Sequence, residues 1–203
     1  MPRIAGQIDR AKAEAALEAA SEVMAEQGLA APLQLIAKRA GVSKQTLYNH
    51  YGGKTGLFRA QISRAVAQMT APFVEPSPSE PVEDSLAGLA ADMMRWVLAP
   101  PAIAAKKRAI EGASDMPELP ATLDEGSKAV ISRIAAYFQA QTEAGRLQVD
   151  DPQEAAEFFD ALVRRREPAM LSGLEGELDE ATVQARSAAI ARHFVRAYRV
   201  RKG

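Results

Sequence analysis

Apolar side chains return every three or four residues along nearly the whole chain, the interval that stacks them on one side of an α-helix, and no segment alternates convincingly enough for a strand. The first predicted helix starts at Asp9, a plausible N-cap, and runs to Gln27, with Ala13, Leu17, Ala20 and Met24 on one side, its acids on the other and Gly28 as the stop. Pro32 suits a first helical turn, and Leu33, Ile36, Ala37 and Ala40 mark the inner side of a short helix that ends at Gly41. A second short helix opens at Ser43. A longer one, from Lys54 to about Met69, carries Leu57, Phe58, Ile62, Ala65 and Met69 as its stripe.

The texture then breaks. Pro72, Pro76, Pro78 and Pro81 fall within ten residues, which predicts a loop over 71–82. Beyond it, Pro100-Pro101, the Pro117 to Pro120 turn and Gly145 divide three more helices. Asp151-Pro152 opens the next, where Asp151 caps and Ala155, Phe158, Phe159, Leu162 and Val163 form a wide apolar face that Pro168 should kink or interrupt. Asp179 caps the last, with Leu178 and Val183 as a staple and Val183, Ser187, Ile190, Phe194 and Tyr198 on one side. The expected fold is all-α with about nine helices. Residues 1–53 form a three-helix DNA-binding domain and 54–203 a larger helical domain, linked by the helix that begins at Lys54.

Composition agrees with a packed helical protein: 203 residues, 47% of them hydrophobic, suffice for a core. There is no cysteine, so no disulfide framework or thiolate metal site is expected, and no window approaches the roughly 20 apolar residues of a membrane span. A soluble, cytoplasmic protein is the expectation. The formal net charge of -1 conceals a division. Residues 1–64 hold nine Lys or Arg against five Asp or Glu, and no acid occurs between Glu26 and Glu75, an interval containing Lys38, Arg39, Lys44, Lys54, Arg59 and Arg64. A stretch of that kind suits a polyanion, although an ordinary solvated basic face has the same composition.

What separates the two readings is the segment LQLIAKRAGVSKQTLYNHYGGK, Leu33 to Lys54. Ala37 admits a close helix neighbour, Gly41 supplies a tight turn between two helices, and Val42 and Leu47 plug a small core. Ser43 caps the following helix, leaving Lys44, Gln45, Thr46, Tyr48, Asn49 and His50 as its polar set. Lys and Gln can read guanine and adenine edges in the major groove, Thr can meet a thymine methyl or a phosphate, and Tyr or His can donate to phosphate oxygens. Lys54, at the positive end of the next helix, can hold a further phosphate.

With these residues the chain resembles the TetR/AcrR family of bacterial regulators, through Ile36-Ala37, Ala40-Gly41-Val42-Ser43, Thr46-Leu47-Tyr48, His50-Tyr51 and Lys54, over about residues 9–65. The resemblance implies a ligand-responsive repressor. It would bind a palindromic operator in double-stranded DNA as a homodimer, paired through its last two helices, and be released by a small-molecule effector. Two departures stand out. Ala31 occupies the place of the family's usual capping hydroxyl residue, and Gly52, Gly53 and Gly56 are expected to loosen the start of the fourth helix.

Signals elsewhere are weaker. Met93, Met94 and Trp96, with Phe138, Phe159 and Met170, suit an adaptable apolar pocket for the effector, though such residues more often form plain core. His193 has no accompanying ligands, so no metal site is expected, and no cofactor. The runs Lys106 to Arg108 and Arg164 to Arg166 read as solvated faces. No nucleophile with a neighbouring base and no glycine-rich phosphate loop argues for an enzyme. A non-specific DNA-binding or protein-interaction module remains the competing reading.

Overall fold

In the computed structural model the described residues, 10–28, 31–74, 80–110 and 117–200, form ten α-helices and no strand. They are α1 (Arg10–Gln27), α2 (Leu33–Arg39), α3 (Lys44–Tyr51), α4 (Lys54–Val74), α5 (Val82–Val97), α6 (Pro100–Ile110), α7 (Leu119–Glu143), α8 (Pro152–Arg164), α9 (Glu167–Leu171) and α10 (Glu180–Ala197). The chain divides into two compact units. One takes in the described residues up to Ala65 together with those of Ala104–Asp124, the other Val66–Ile103 with Glu125–Gly203.

In the first unit α1 packs on α2, and α2 on α3. The buried side of α1 is Ala16, Ala19, Ala20, Val23 and Met24, while Ala13 and Leu17 are only half-buried, so the stripe is rotated from the expected one. Small side chains there let the neighbouring helices approach closely. The proposed cap Asp9 lies outside the described residues. On the opposite side Glu14, Glu18, Glu22 and Glu26 form a column four residues apart, and two arginines meet it. Arg39 of α2 donates to both oxygens of Glu26 at 2.8 and 2.9 Å and lies 3.7 Å from Glu22. Arg64 of α4 reaches Glu18 at 2.6 Å and Glu14 at 3.9 Å. Its hydrogen bond to Arg39 holds the Glu26 carboxyl below the usual carboxylate range. Two of the six cations in the acid-free interval therefore tie the unit together.

In the second unit α5 packs along α10, and both touch α8. Leu86, Leu89, Met93, Met94 and Val97 of α5 are buried, as are Ala155, Phe159 and Val163 of α8 and Val183, Ser187, Ile190 and Phe194 of α10. Phe138 of α7 is stacked on Phe194 at 5.8 Å between ring centres, and Phe159 meets Phe194 edge-on at 5.1 Å. Arg95 clips α5 to α10 by bonding both Glu180 oxygens, at 2.6 and 3.2 Å.

The helix termini follow the caps read in the sequence. Asp151 accepts from the amides of Gln153 and Glu154, and Asp179 from that of Thr182. Two boundaries differ. α4 continues through Pro72 to Val74, so the expected loop over 71–82 begins later, and residues 75–79 of it lie outside the described residues. A proline this near a helix end removes a single backbone bond. Just before it, buried Thr70 donates to the Val66 carbonyl at 2.6 Å and accepts from Arg133 at 2.9 Å, which holds the helix in its core. The tenth helix, beyond the nine expected, is α9. Pro168, unable to continue α8, sits in the first turn of this short helix.

Candidate nucleic-acid interface

The α2–α3 corner is built by its backbone. After the C-cap Ala40, Gly41 adopts φ +67, its amide bonding the Lys38 carbonyl at 3.3 Å while the Val42 amide bonds that of Ala37 at 3.0 Å. This paired closure is a Schellman motif, and its left-handed residue is the reason for the glycine. Ser43 then caps α3, accepting from the Thr46 amide at 2.9 Å, with the two hydroxyls 2.7 Å apart. α2 itself starts after Pro32, which contributes no side-chain cap, and Ala31 is buried, so that helix lacks the hydroxyl cap whose usual contribution is about 1 kcal/mol.

α3 is anchored at two points. Leu47 is fully buried, and the Tyr51 hydroxyl donates to the Ala13 carbonyl at 3.2 Å, tying α3 to α1. Burial, and secondarily the charge of Glu14, raise the Tyr51 pKa, which keeps the phenol a donor. At about 100° per residue, Gln45, Tyr48 and Asn49 fall on the side away from Leu47 and Lys44 at the edge of that face, and all four are exposed. Tyr48 is 57% exposed, unusual for so large a ring. Gln45 donates to Asn49 at 2.6 Å, so one amide orients the other.

The remaining candidates lie apart from that face. Ser43 and Thr46 are engaged with each other, His50 is exposed but turned aside, its ring edge-on to Tyr51 at 4.5 Å, and Lys54 is half-buried at the start of α4. Charge counting included Lys38 but the site reading passed over it. It is exposed in the last turn of α2, and among the described residues neither it nor Lys44 makes an ion pair. Position one turn from the α2–α3 corner is the signal that would have singled it out.

The α3–α4 junction corrects one expectation. Gly52 (φ +73) ends α3 by bonding the Tyr48 carbonyl, and Gly53 (φ +118) leads straight into α4. A Cβ at Gly56 would fall on the Tyr51 carbonyl oxygen. These glycines are conditions of a tight junction, which places Lys54 immediately beyond α3.

Of the effector-pocket candidates, Met93, Met94, Phe138 and Phe159 are fully buried, Met170 nearly so and Trp96 half-buried. None lines the open groove of about 320 Å³ between α8 and α10, which is formed by Phe158, Ala161, Leu162, His193, Phe194, Ala197 and Tyr198. Phe158, expected in the apolar face of α8, is 52% exposed there. The basic run 164–166 is largely paired: Arg164 bonds Asp160 at 2.8 Å and Arg166 bonds Glu175.

A helix-turn-helix whose second helix presents an exposed polar face, followed by a larger all-helical domain, defines a DNA-binding transcription regulator. Comparison with known proteins makes the class specific. The family model for bacterial regulatory proteins of the tetR family matches residues 16–60, and that for the C-terminal domain of AefR-like transcriptional repressors matches residues 84–200. The chain belongs to the TetR family. A Mesorhizobium loti protein assigned to that family is 23% identical, with a TM-score of 0.72 over 95% of this chain and 100% of its own. The flavonoid-responsive regulator FrrA is 28% identical, with a TM-score of 0.62 over 94% and 98%. A TetR transcriptional regulator from Agrobacterium tumefaciens is 24% identical, with a TM-score of 0.70 over 96% and 97%. A search of the curated proteins finds no match. No described helix is long and apolar enough to cross a membrane.

Proposed function

We propose that this protein is a repressor that binds a palindromic operator as a homodimer and releases it when a small molecule occupies the helical domain. The observation that carries the reading is the exposed set Gln45, Tyr48 and Asn49 on α3, on the side away from the buried Leu47, with Lys44 exposed at its edge and no acidic residue on the helix. Gln45 and Asn49 suit adenine edges, Lys44 a guanine or phosphate, and Tyr48, Lys38 and Lys54 the phosphate backbone. Residues 1–53 supply this module and 54–203 the sensing and pairing functions, with α4 as the link. In the dimer the two α3 helices enter successive major grooves about 34 to 36 Å apart.

The match to a repressor C-terminal domain supports the direction of regulation, and the flavonoid-responsive relative supports a small, largely apolar aromatic effector. Met93, Met94, Trp96, Phe138, Phe159 and Met170 are the proposed contacts, the methionines giving a wall that repacks around a ligand. Occupation would shift α4 and favour the form that cannot span both half-sites, a coupling of two sites by one free energy.

Selection of bound fragments from random DNA should return a two-fold symmetric site. A labelled fragment carrying it should then be released on titration with an aromatic effector. Binding without sequence preference at moderate salt is the result that would defeat the reading, in favour of a non-specific DNA-binding module.

A further inference from the structure

The buried side of α7 runs through Val130, Ile134, Tyr137 and Phe138 to Gln141, so a primary amide takes the last place in an otherwise apolar and aromatic stripe. Gln141 is 1% exposed, and neither its Oε1 nor its Nε2 has a hydrogen-bond partner among the described residues. The four other buried polar side chains described are all bonded. Thr70 donates to the Val66 carbonyl, Thr122 to that of Glu118 and Ser187 to that of Gln184, while Asp160 accepts from Arg164. The backbone of Gln141 is satisfied too, its carbonyl accepting from the amides of Arg146 at 2.9 Å and Leu147 at 3.2 Å. Only the side chain is bare. An amide withdrawn from water with both ends unbonded destabilises the fold until something meets it. One turn before it on the same side stands Phe138, which belongs to a ring cluster with Phe159, Phe194 and Tyr198.

Resting on the effector reading above, we infer that Gln141 binds the polar end of that molecule, and that the effector is a neutral aromatic compound with an N–H or O–H group beside a carbonyl oxygen. An amide presents one acceptor and one donor on neighbouring atoms, so the group that satisfies both ends at once carries the complementary pair, as in a carboxamide or a lactam. A carboxylate accepts from Nε2 and leaves Oε1 bare. An ammonium does the reverse, and a simple ketone or ether meets one end only. Because Gln141 is covered in the structure, the molecule is admitted by repacking of the core around it rather than through an open mouth.

The test uses two ring compounds of the same shape: 2-naphthamide, which donates and accepts, and 2-acetylnaphthalene, in which a methyl group replaces the amide nitrogen. Isothermal titration calorimetry on the full-length protein measures both. Gln141→Met and Gln141→Leu are two apolar replacements, in case one does not fold, and Gln139→Met, exposed on the same helix, is the control. Circular dichroism checks each chain. The parent and Gln139→Met should bind the naphthamide about tenfold or more tightly than the ketone, and the Gln141 variants should erase that preference by weakening the naphthamide alone. A parent that binds the two alike, or a preference that survives in the Gln141 variants, overturns the assignment. A parent that binds neither overturns it as well, the amide then being met by a buried water. A fragment carrying the selected operator separates the subsite from the reading it rests on. Selective binding that never releases the fragment leaves Gln141 standing and overturns the effector reading, whereas release by both compounds alike does the opposite.

Discussion

On α3, identity at single positions separates strength of binding from choice of sequence. The proposed function gives Tyr48 and Lys54 phosphate contacts, so Tyr48→Ala and Lys54→Ala should weaken binding to the selected operator and to random DNA alike, and lower the steepness of its salt dependence. The same proposal gives Gln45 a base edge. Gln45→Ala should cost about 1–3 kcal/mol on the preferred base pair and relax preference there, with anisotropy titrations on matched and mismatched duplexes as the measurement. Gly56 makes a different case. Helix propensity alone predicts that Gly56→Ala stabilises the protein by up to about 1 kcal/mol. The Cβ would instead fall on the Tyr51 carbonyl oxygen, a backbone atom that cannot step aside without moving α3. The clash should prevail, with a net loss of about 2 kcal/mol and a melting temperature about 4–8 °C lower. The local pattern Gly52-Gly53-x-x-Gly56 was visible in the sequence, but its meaning was not, because the obstructing oxygen belongs to the preceding helix.

Among helices, capping and stripes were legible and pairing was not. Ser43, Asp151 and Asp179 announced three N-termini because a cap is a bond within three residues. The partners of the α1 glutamates could not be named, since Arg39 and Arg64 arrive from α2 and α4. The basic stretch read as suiting a polyanion therefore includes two cations that bind the unit to itself. The Arg95–Glu180 clip is of the same long-range kind, 85 residues apart in sequence. Its bond from Arg95, then that from Gln184, lowers the Glu180 pKa to about 2. A folded-state value below the unfolded one, about 4.3, means that its stabilisation is complete above that pH and is lost as pH falls toward 2. Across that window the parent's melting temperature should fall faster than that of Glu180→Gln, and parallel curves would show that the clip contributes nothing.

For the whole molecule the proposed homodimer makes pairing the decisive quantity, because in that reading one α3 meets only a half-site. Phe158 is large, apolar and half out in water beside the groove between α8 and α10. Phe158→Asp should leave the fold's circular dichroism unchanged, weaken self-association by tenfold or more, and reduce affinity for the full palindrome much more than for an isolated half-site. The estimate follows from about 1.5–3 kcal/mol for burying one such side chain, counted twice by symmetry.

Helical class, the positions of most termini and the recognition segment followed from the sequence by itself, because periodicity, caps and a glycine-marked turn are set by residues within a turn or two of each other. Which basic side chains stand outward, why Gly56 must lack a side chain, and that Phe158 stands half-exposed beside an open groove were decided only in three dimensions. Each depends on atoms brought together from distant helices, and no local pattern encodes which neighbour arrives.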